Sequence, residues 1–168
     1  MREKIVLIRH GESLANVDSR YYMYPEEMNI LSEKGAKQAL LLSKPLKNII
    51  TSLRNPTVIS SMYIRAKLTA SIALHDHPHI NVLADGRLNE CEFNVNGKRE
   101  PSMSVKTRVK GVVDEHPGSL ILFVHGELMR HLDQQNTRDP QNCEFRIYDR
   151  NSFIENHLMI DHQLIIVP

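Results

Sequence analysis

Two cysteines, Cys91 and Cys143, are all that the 168 residues contain. That is too few for a disulfide-stapled secreted scaffold, and their separation is not the CxxC spacing of a redox or zinc motif. Charge of one sign is missing as well: 21 lysines and arginines stand against 20 aspartates and glutamates, a formal +1. The broad positive field of a nucleic-acid or membrane-surface binder is therefore not expected, and any anion site must be local. Long hydrophobic runs are absent. The apolar stretch in the opening MREKIVLIRH is far shorter than a signal-peptide core or a membrane span. No repeat, low-complexity tract or linker composition interrupts the chain. These absences predict one soluble, cytoplasmic domain over residues 1–168, and 41% hydrophobic content is enough for its core.

What is present alternates between strand and helix. Residues 4–8 (KIVLI), 56–61 (PTVISS) and 120–124 (LILFV) read as buried strands, with a shorter one at 80–84. The polar, aromatic stretch 18–29 (DSRYYMYPEEMN) reads as a loop. A helix is expected from Leu31 to Leu53, capped by Ser32 and bent at Pro45. Further helices are expected over IRAKLTASIALH, over 102–115 with Gly111 weakening it, and over ELMRHLDQQ. The tail should hold short strands around CEFRIYD, SFIENH and LIIVP. This order predicts an α/β three-layer sandwich, a mostly parallel central sheet flanked by helices.

Ligands in such folds gather at the carboxyl ends of the strands. Here the strand 4–8 stops at Arg9, His10 and Gly11, and LILFV stops at His125 and Gly126. VISS leads to Arg65 one helical turn on. A structural histidine at one strand end would be unremarkable, but that reading explains neither the flanking arginine nor the repeated His-Gly. Two planar guanidinium forks suit a tetrahedral dianion, and the glycines let backbone N–H groups approach it. Such a pocket suits phosphate. A neutral imidazole can attack phosphorus, so one histidine would be the nucleophile and the other a charge stabiliser. The leaving oxygen needs a proton, for which Glu90 in RLNE is the best-placed carboxylate, with Glu12 as the alternative.

LIRHGESLAN, SSMYIRAKLTA, RLNE and FVHGELMR together resemble, in order, the motifs of the histidine phosphatase superfamily, also called phosphoglycerate mutase-like. The resemblance covers most of the chain. It implies that His10 is the nucleophile, that Arg9, Asn16, Arg65 and His125 are phosphate ligands with Gly126 beside them, and that Glu90 is the proton donor. LSEKGAKQA is similar to the family's first-helix motif, which carries no chemistry. Two departures stand out. Val124 occupies a position where many relatives have Ser or Thr, and only 34 residues separate Glu90 from His125, so the cap must be small.

The expected function is hydrolysis of phosphomonoesters on a small molecule or phosphoprotein, with no cofactor, no metal, and no nucleic-acid or membrane partner. The alternatives are a protein phosphohistidine phosphatase, a phosphoglycerate mutase-type phosphotransferase and a non-catalytic phosphate-binding module. His75, His77 and His79 in HDHPH could face one side and hold zinc, but no nearby acidic motif completes the set, so a solvated loop is expected. Cys91 lacks the arginine six residues later that a thiol phosphatase needs, since Gly97 stands there. The basic residues Lys98, Arg99, Lys106, Arg108 and Lys110 read most simply as a solvated face, with guidance of an anionic substrate by part of it as the second reading.

Overall fold

A computed structural model of the chain describes residues 3–53, 55–91, 97–133 and 138–158. In chain order the elements are β1 (Lys4–Arg9), α1 (Leu14–Val17), α2 (Glu33–Leu41), α3 (Ser43–Leu53), β2 (Thr57–Ser60), α4 (Ile64–Ala73) and β3 (Val82–Ala84). After them come α5 (Ser102–Glu115), β4 (Leu120–Val124), α6 (Gly126–Leu132), β5 (Phe145–Asp149) and α7 (Arg150–Phe153). The five strands form one sheet in the order β3-β2-β4-β1-β5, parallel except for β5, which runs antiparallel along β1.

Ile5 to Ile8 and all of β4 have 0% exposure. A strand covered on both faces needs apolar residues at every position, which is why these two read as unbroken runs. Alternate side chains go to opposite layers. Ile5, Leu7, Leu120 and Leu122 pack with Val105, Val109, Val112 and Val113 of α5, a helical i, i+4, i+7, i+8 stripe. Val6, Ile8, Ile121 and Phe123 pack on the other face with Leu42, Leu46, Ala70 and Ala73. At about 1.5–3 kcal/mol for each large aliphatic side chain removed from water, this double burial holds the strand ends in place.

The helix expected as one bent rod from Leu31 to Leu53 is two helices, broken at Leu42. The ring of Pro45 conflicts with the carbonyl four residues back, at Leu41, while in the first turn of α3 its missing N–H costs nothing. Ser32 caps α2 as expected, accepting from the Gly35 N–H at 3.0 Å. Residues 18–29 coil into two short 3-10 turns, Ser19–Met23 and Glu26–Met28. SFIENH is not a strand. Asp149 caps α7, and Phe153 and Leu158 are both buried against the α5 layer, so the segment continues from α7 into a single π turn, Ile154–Leu158. LIIVP lies outside the described residues. Among the described residues no helix is long and apolar enough to cross a membrane.

Residues 91–101 connect Glu90 to α5.

Candidate active site

Parallel pairing sets Arg9 opposite Val124, so the residues that follow, His10 and His125, leave the sheet side by side. Their rings lie edge to face with centroids 5.1 Å apart, at 3% and 0% exposure. The His10 N–H donates to the Val124 carbonyl at 3.0 Å, which ties the two strand ends together. Residues some 115 positions apart in sequence thus share one pocket wall.

Each histidine has a defined tautomer. His10 Nδ1 lies 2.6 Å from the Gly11 carbonyl oxygen, which can only accept, so Nδ1 carries the proton and Nε2 the lone pair. Arg65 Nε, a donor only, points at that lone pair from 3.3 Å. Burial, and then the charges of Arg65 and Arg9, push the His10 pKa down to about 3, so its ring is neutral. His125 Nε2 lies 2.8 Å from Ser61 Oγ. That hydroxyl donates to Asn89 Oδ1 at 2.9 Å and accepts from the Tyr63 N–H at 3.1 Å, while the Met62 N–H fixes the Asn89 amide orientation at 3.0 Å. With its one proton given to Asn89, Ser61 accepts from His125 Nε2–H. The lone pair of His125 therefore sits on Nδ1, a buried atom with no partner in the protein. Burial holds this histidine too well below its ordinary pKa.

Arg65 enters from α4 at 4% exposure, its guanidinium 4.8 Å over the Tyr63 ring and its Nη1 paired with Glu26. Thr69, one turn on, donates to the Arg65 carbonyl and accepts from the Gly11 N–H, joining α4 to the loop after β1. Arg9 donates from Nη1 to the Pro140 carbonyl at 2.6 Å. Its Nε lies against Gly126, where a Cβ would stand 2.9 Å away, so any larger residue there would displace that guanidinium.

Glu90 lies beside the first turn of α6. Its carboxylate accepts from the N–H groups of Leu128 (2.9 Å), Cys91 (3.0 Å) and Glu127 (3.3 Å). Burial raises its pKa, and the three backbone donors work against that rise. Glu12 is placed differently: Ser32 Oγ donates to it at 2.8 Å and Lys34 Nζ at 2.7 Å, and these bonds, Lys34 first, lower its pKa. A carboxylate so held is a poor proton donor. Asn16 uses its side-chain oxygen to accept from the Ser13 N–H at 3.0 Å and from Asn142 Nδ2 at 3.3 Å, and Asn142 also donates to the His10 carbonyl at 3.1 Å. It braces the loop that carries His10.

The structure brings His10, His125, Arg65, Arg9, Gly126 and Glu90 to one end of the sheet. The rings of His77 and His79 lie 5.7 Å apart, but His75 bonds the Ile72 carbonyl and Asp76, and among the described residues no three His, Cys, Asp or Glu side chains form a metal-holding group. Burial pushes both cysteine thiols up to about 12. The solvated basic face needs correction at Arg108, whose guanidinium is held by Glu100 at 2.9 Å and by the Arg87 carbonyl, fastening residue 100 to α5. Ser61, Asn89, Thr69, Asn142 and Glu26 were not legible as site residues. Ser61 and Asn89 had a signal, since one ends strand VISS and the other precedes Glu90. Glu26 and Asn142 lie in loops with no periodicity to place them.

These features define a class: a parallel α/β sandwich with a paired-histidine, paired-arginine pocket at its strand ends. Residues 5–104 match the family model of the histidine phosphatase superfamily (branch 1), and the chain belongs to that family. Comparison of the sequence with curated proteins gives no match. Among solved structures the fold is similar to mycobacterial glucosyl-3-phosphoglycerate phosphatase in complex with VO3, with TM-score 0.68, 21% identity, and 89% of this chain and 94% of that chain covered. It is similar to a phosphoglycerate mutase from Bacillus anthracis at TM-score 0.69, 18% identity and 88% coverage of each chain. Bacillus stearothermophilus YhfR gives TM-score 0.66, 20% identity, and 86% and 89% coverage.

Proposed function

We propose that the protein is a phosphatase that hydrolyses phosphomonoesters through a phosphohistidine on His10. The observation that carries this reading is the His10 ring: neutral, fixed with its lone pair on Nε2, and faced by the Arg65 guanidinium. An imidazole so prepared is a nucleophile that needs no base. Nε2 forms a bond to phosphorus as the bond to the leaving oxygen breaks in line. The positive charge that develops on the ring is met by the existing Nδ1–H bond to the Gly11 carbonyl. Arg65 turns its donors from Nε2 to the phosphoryl oxygens, joined by Arg9, and His125 Nδ1 accepts the hydrogen bond of the one protonated oxygen of a monoanionic ester. Fixed donors at the developing charge supply most of the rate. Glu90, whose neutral form burial favours, gives its proton to the leaving oxygen. As a carboxylate it then takes a proton from water, whose oxygen attacks phosphorus, breaks the N–P bond and restores His10 with release of inorganic phosphate.

The short connection 91–101 favours hydrolysis over transfer to a second acceptor, because a mutase must hold its intermediate product over the phosphoenzyme. A connection this short also leaves a phosphoprotein as the second substrate class. Rapid quench with a phosphate-labelled monoester is expected to trap an acid-labile, base-stable phosphoprotein, which His10→Ala does not form. Label recovered on a serine or cysteine would overturn the assignment.

A further inference from the structure

The mouth of the pocket is lined by Arg9, Tyr22, Glu90, Glu127, Arg130 and Asp139 among others. What could recognise the rest of a substrate, once its phosphoryl group has taken Arg9 and Arg65, depends on which charges remain there. Arg130 is saturated: Nη2 pairs with Glu127 and Nη1 with Asp139 at 3.1 Å. Glu127 pairs in addition with Arg99 at 2.7 Å. These four charges balance, and no guanidinium among them is left over for a second anion. Glu26 then decides the sign. Its carboxylate sits on Arg65 Nη1, the cation that the phosphoryl group must use. When phosphate claims Arg65, Glu26 loses the cation that favours its charged form against the upward push of burial, so a second anion in the substrate meets a carboxylate with no partner and can only be held beside it at the cost of protonating it.

We infer that the protein selects phosphomonoesters whose alcohol portion carries no second negative charge, and that Glu26 and the Glu127–Arg130–Asp139 group set this selectivity. The inference rests on the phosphatase reading and narrows it to a substrate class. Discrimination of this kind comes from the unfavourable charge placed against the wrong substrate as much as from contacts to the right one. It also leaves a neutral substrate free to lie along Tyr22, whose side chain is exposed at the rim.

Glycerol 3-phosphate and 3-phosphoglycerate test it, since they share a skeleton and differ by a hydroxymethyl group against a carboxylate. At low ionic strength kcat/KM is expected to favour glycerol 3-phosphate by about tenfold or more, and added salt should shrink the ratio by screening. Glu26→Gln, and separately Asp139→Asn at a side chain 65% exposed, should shrink it too, through gains on 3-phosphoglycerate. p-Nitrophenyl phosphate, measured alongside, reports any change common to all substrates. Equal or better hydrolysis of 3-phosphoglycerate by the native protein would overturn the inference while leaving the phosphatase reading intact, as would a ratio indifferent to salt and to both variants. Failure to hydrolyse any of the three esters would overturn the phosphatase reading and this inference with it.

Discussion

Glu90 stands between opposed demands: burial favours its neutral form, and three backbone N–H groups favour its anion. A group poised in this way can give a proton in one step and take one in the next. Glu90→Gln keeps the shape and an acceptor for the Leu128 N–H but removes the proton. Single-turnover phosphorylation by an alkyl phosphate should fall roughly a hundredfold, and by p-nitrophenyl phosphate much less, because a phenolate leaves without help. Equal losses would exclude Glu90 as the acid, and the hold of Lys34 and Ser32 on Glu12 argues that Glu12 would not replace it. At this scale the sequence was readable where chemistry meets a strand end. Arg9, His10, Arg65 and His125 broke a pattern that burial had imposed, and so stood out. Glu26 broke no pattern, because a glutamate in a polar loop looks solvated until the fold carries it to Arg65.

Among the elements, α2 shows how a motif without chemistry serves the site. A Cβ on Gly35 would stand 1.9 Å from the Glu12 carbonyl oxygen, and one on Gly11 would stand 2.5 Å from that of Gly35. Two glycines facing each other let α2 press against the loop that carries His10. Gly35→Ala should therefore push the helix away, costing roughly 1–3 kcal/mol and lowering Tm by several degrees in a thermal melt. Gly111, inside α5, is the contrast. A Cβ there would meet only Arg87 Nη1 at 3.2 Å, the far end of a side chain paired with Asp85 and Glu115, which needs to give by only a few tenths of an ångström, so Gly111→Ala should raise stability by up to about 0.5–1 kcal/mol. The strands and α5 could be read in advance because their periodicity is set by burial. The break at Leu42 and the turn of SFIENH into helix could not, since each depends on a local steric or capping event that hydrophobic pattern does not record.

For the whole molecule, two histidines buried neutral make stability depend on pH. The unfolded chain binds protons at both near their ordinary 6.5, whereas folded His10 does so only near 3 and folded His125 well below 6.5. Their contribution is fully present above pH 6.5 and is lost as pH falls towards 3, at about 1.4 kcal/mol per pH unit for each histidine. Glu90 and Glu26, with raised pKa values, act the other way, while Glu12, Asp85 and Glu144, with lowered ones, add to the loss as pH falls into the carboxylate range. Urea unfolding at pH 7.5, 6 and 5 should show the midpoint moving down, and His10→Gln should flatten the dependence. A midpoint rising towards pH 5 would mean that the histidines are charged in the folded protein.

The strand order β3-β2-β4-β1-β5 also bears on how the chain comes off the ribosome. β1 and β2 are made early and lie on either side of a slot that only β4 fills. Until Leu120 to Val124 have emerged, β2 can pair with β3, but Ile5 to Ile8 have no neighbour on either side. A nascent chain stopped short of that point holds its most apolar strand as an open edge, prone to pairing with other chains. The segment that closes the slot is the one that ends in His125, so insertion of one strand completes the sheet and sets the second histidine beside the first. No earlier stage of synthesis can display the histidine pair.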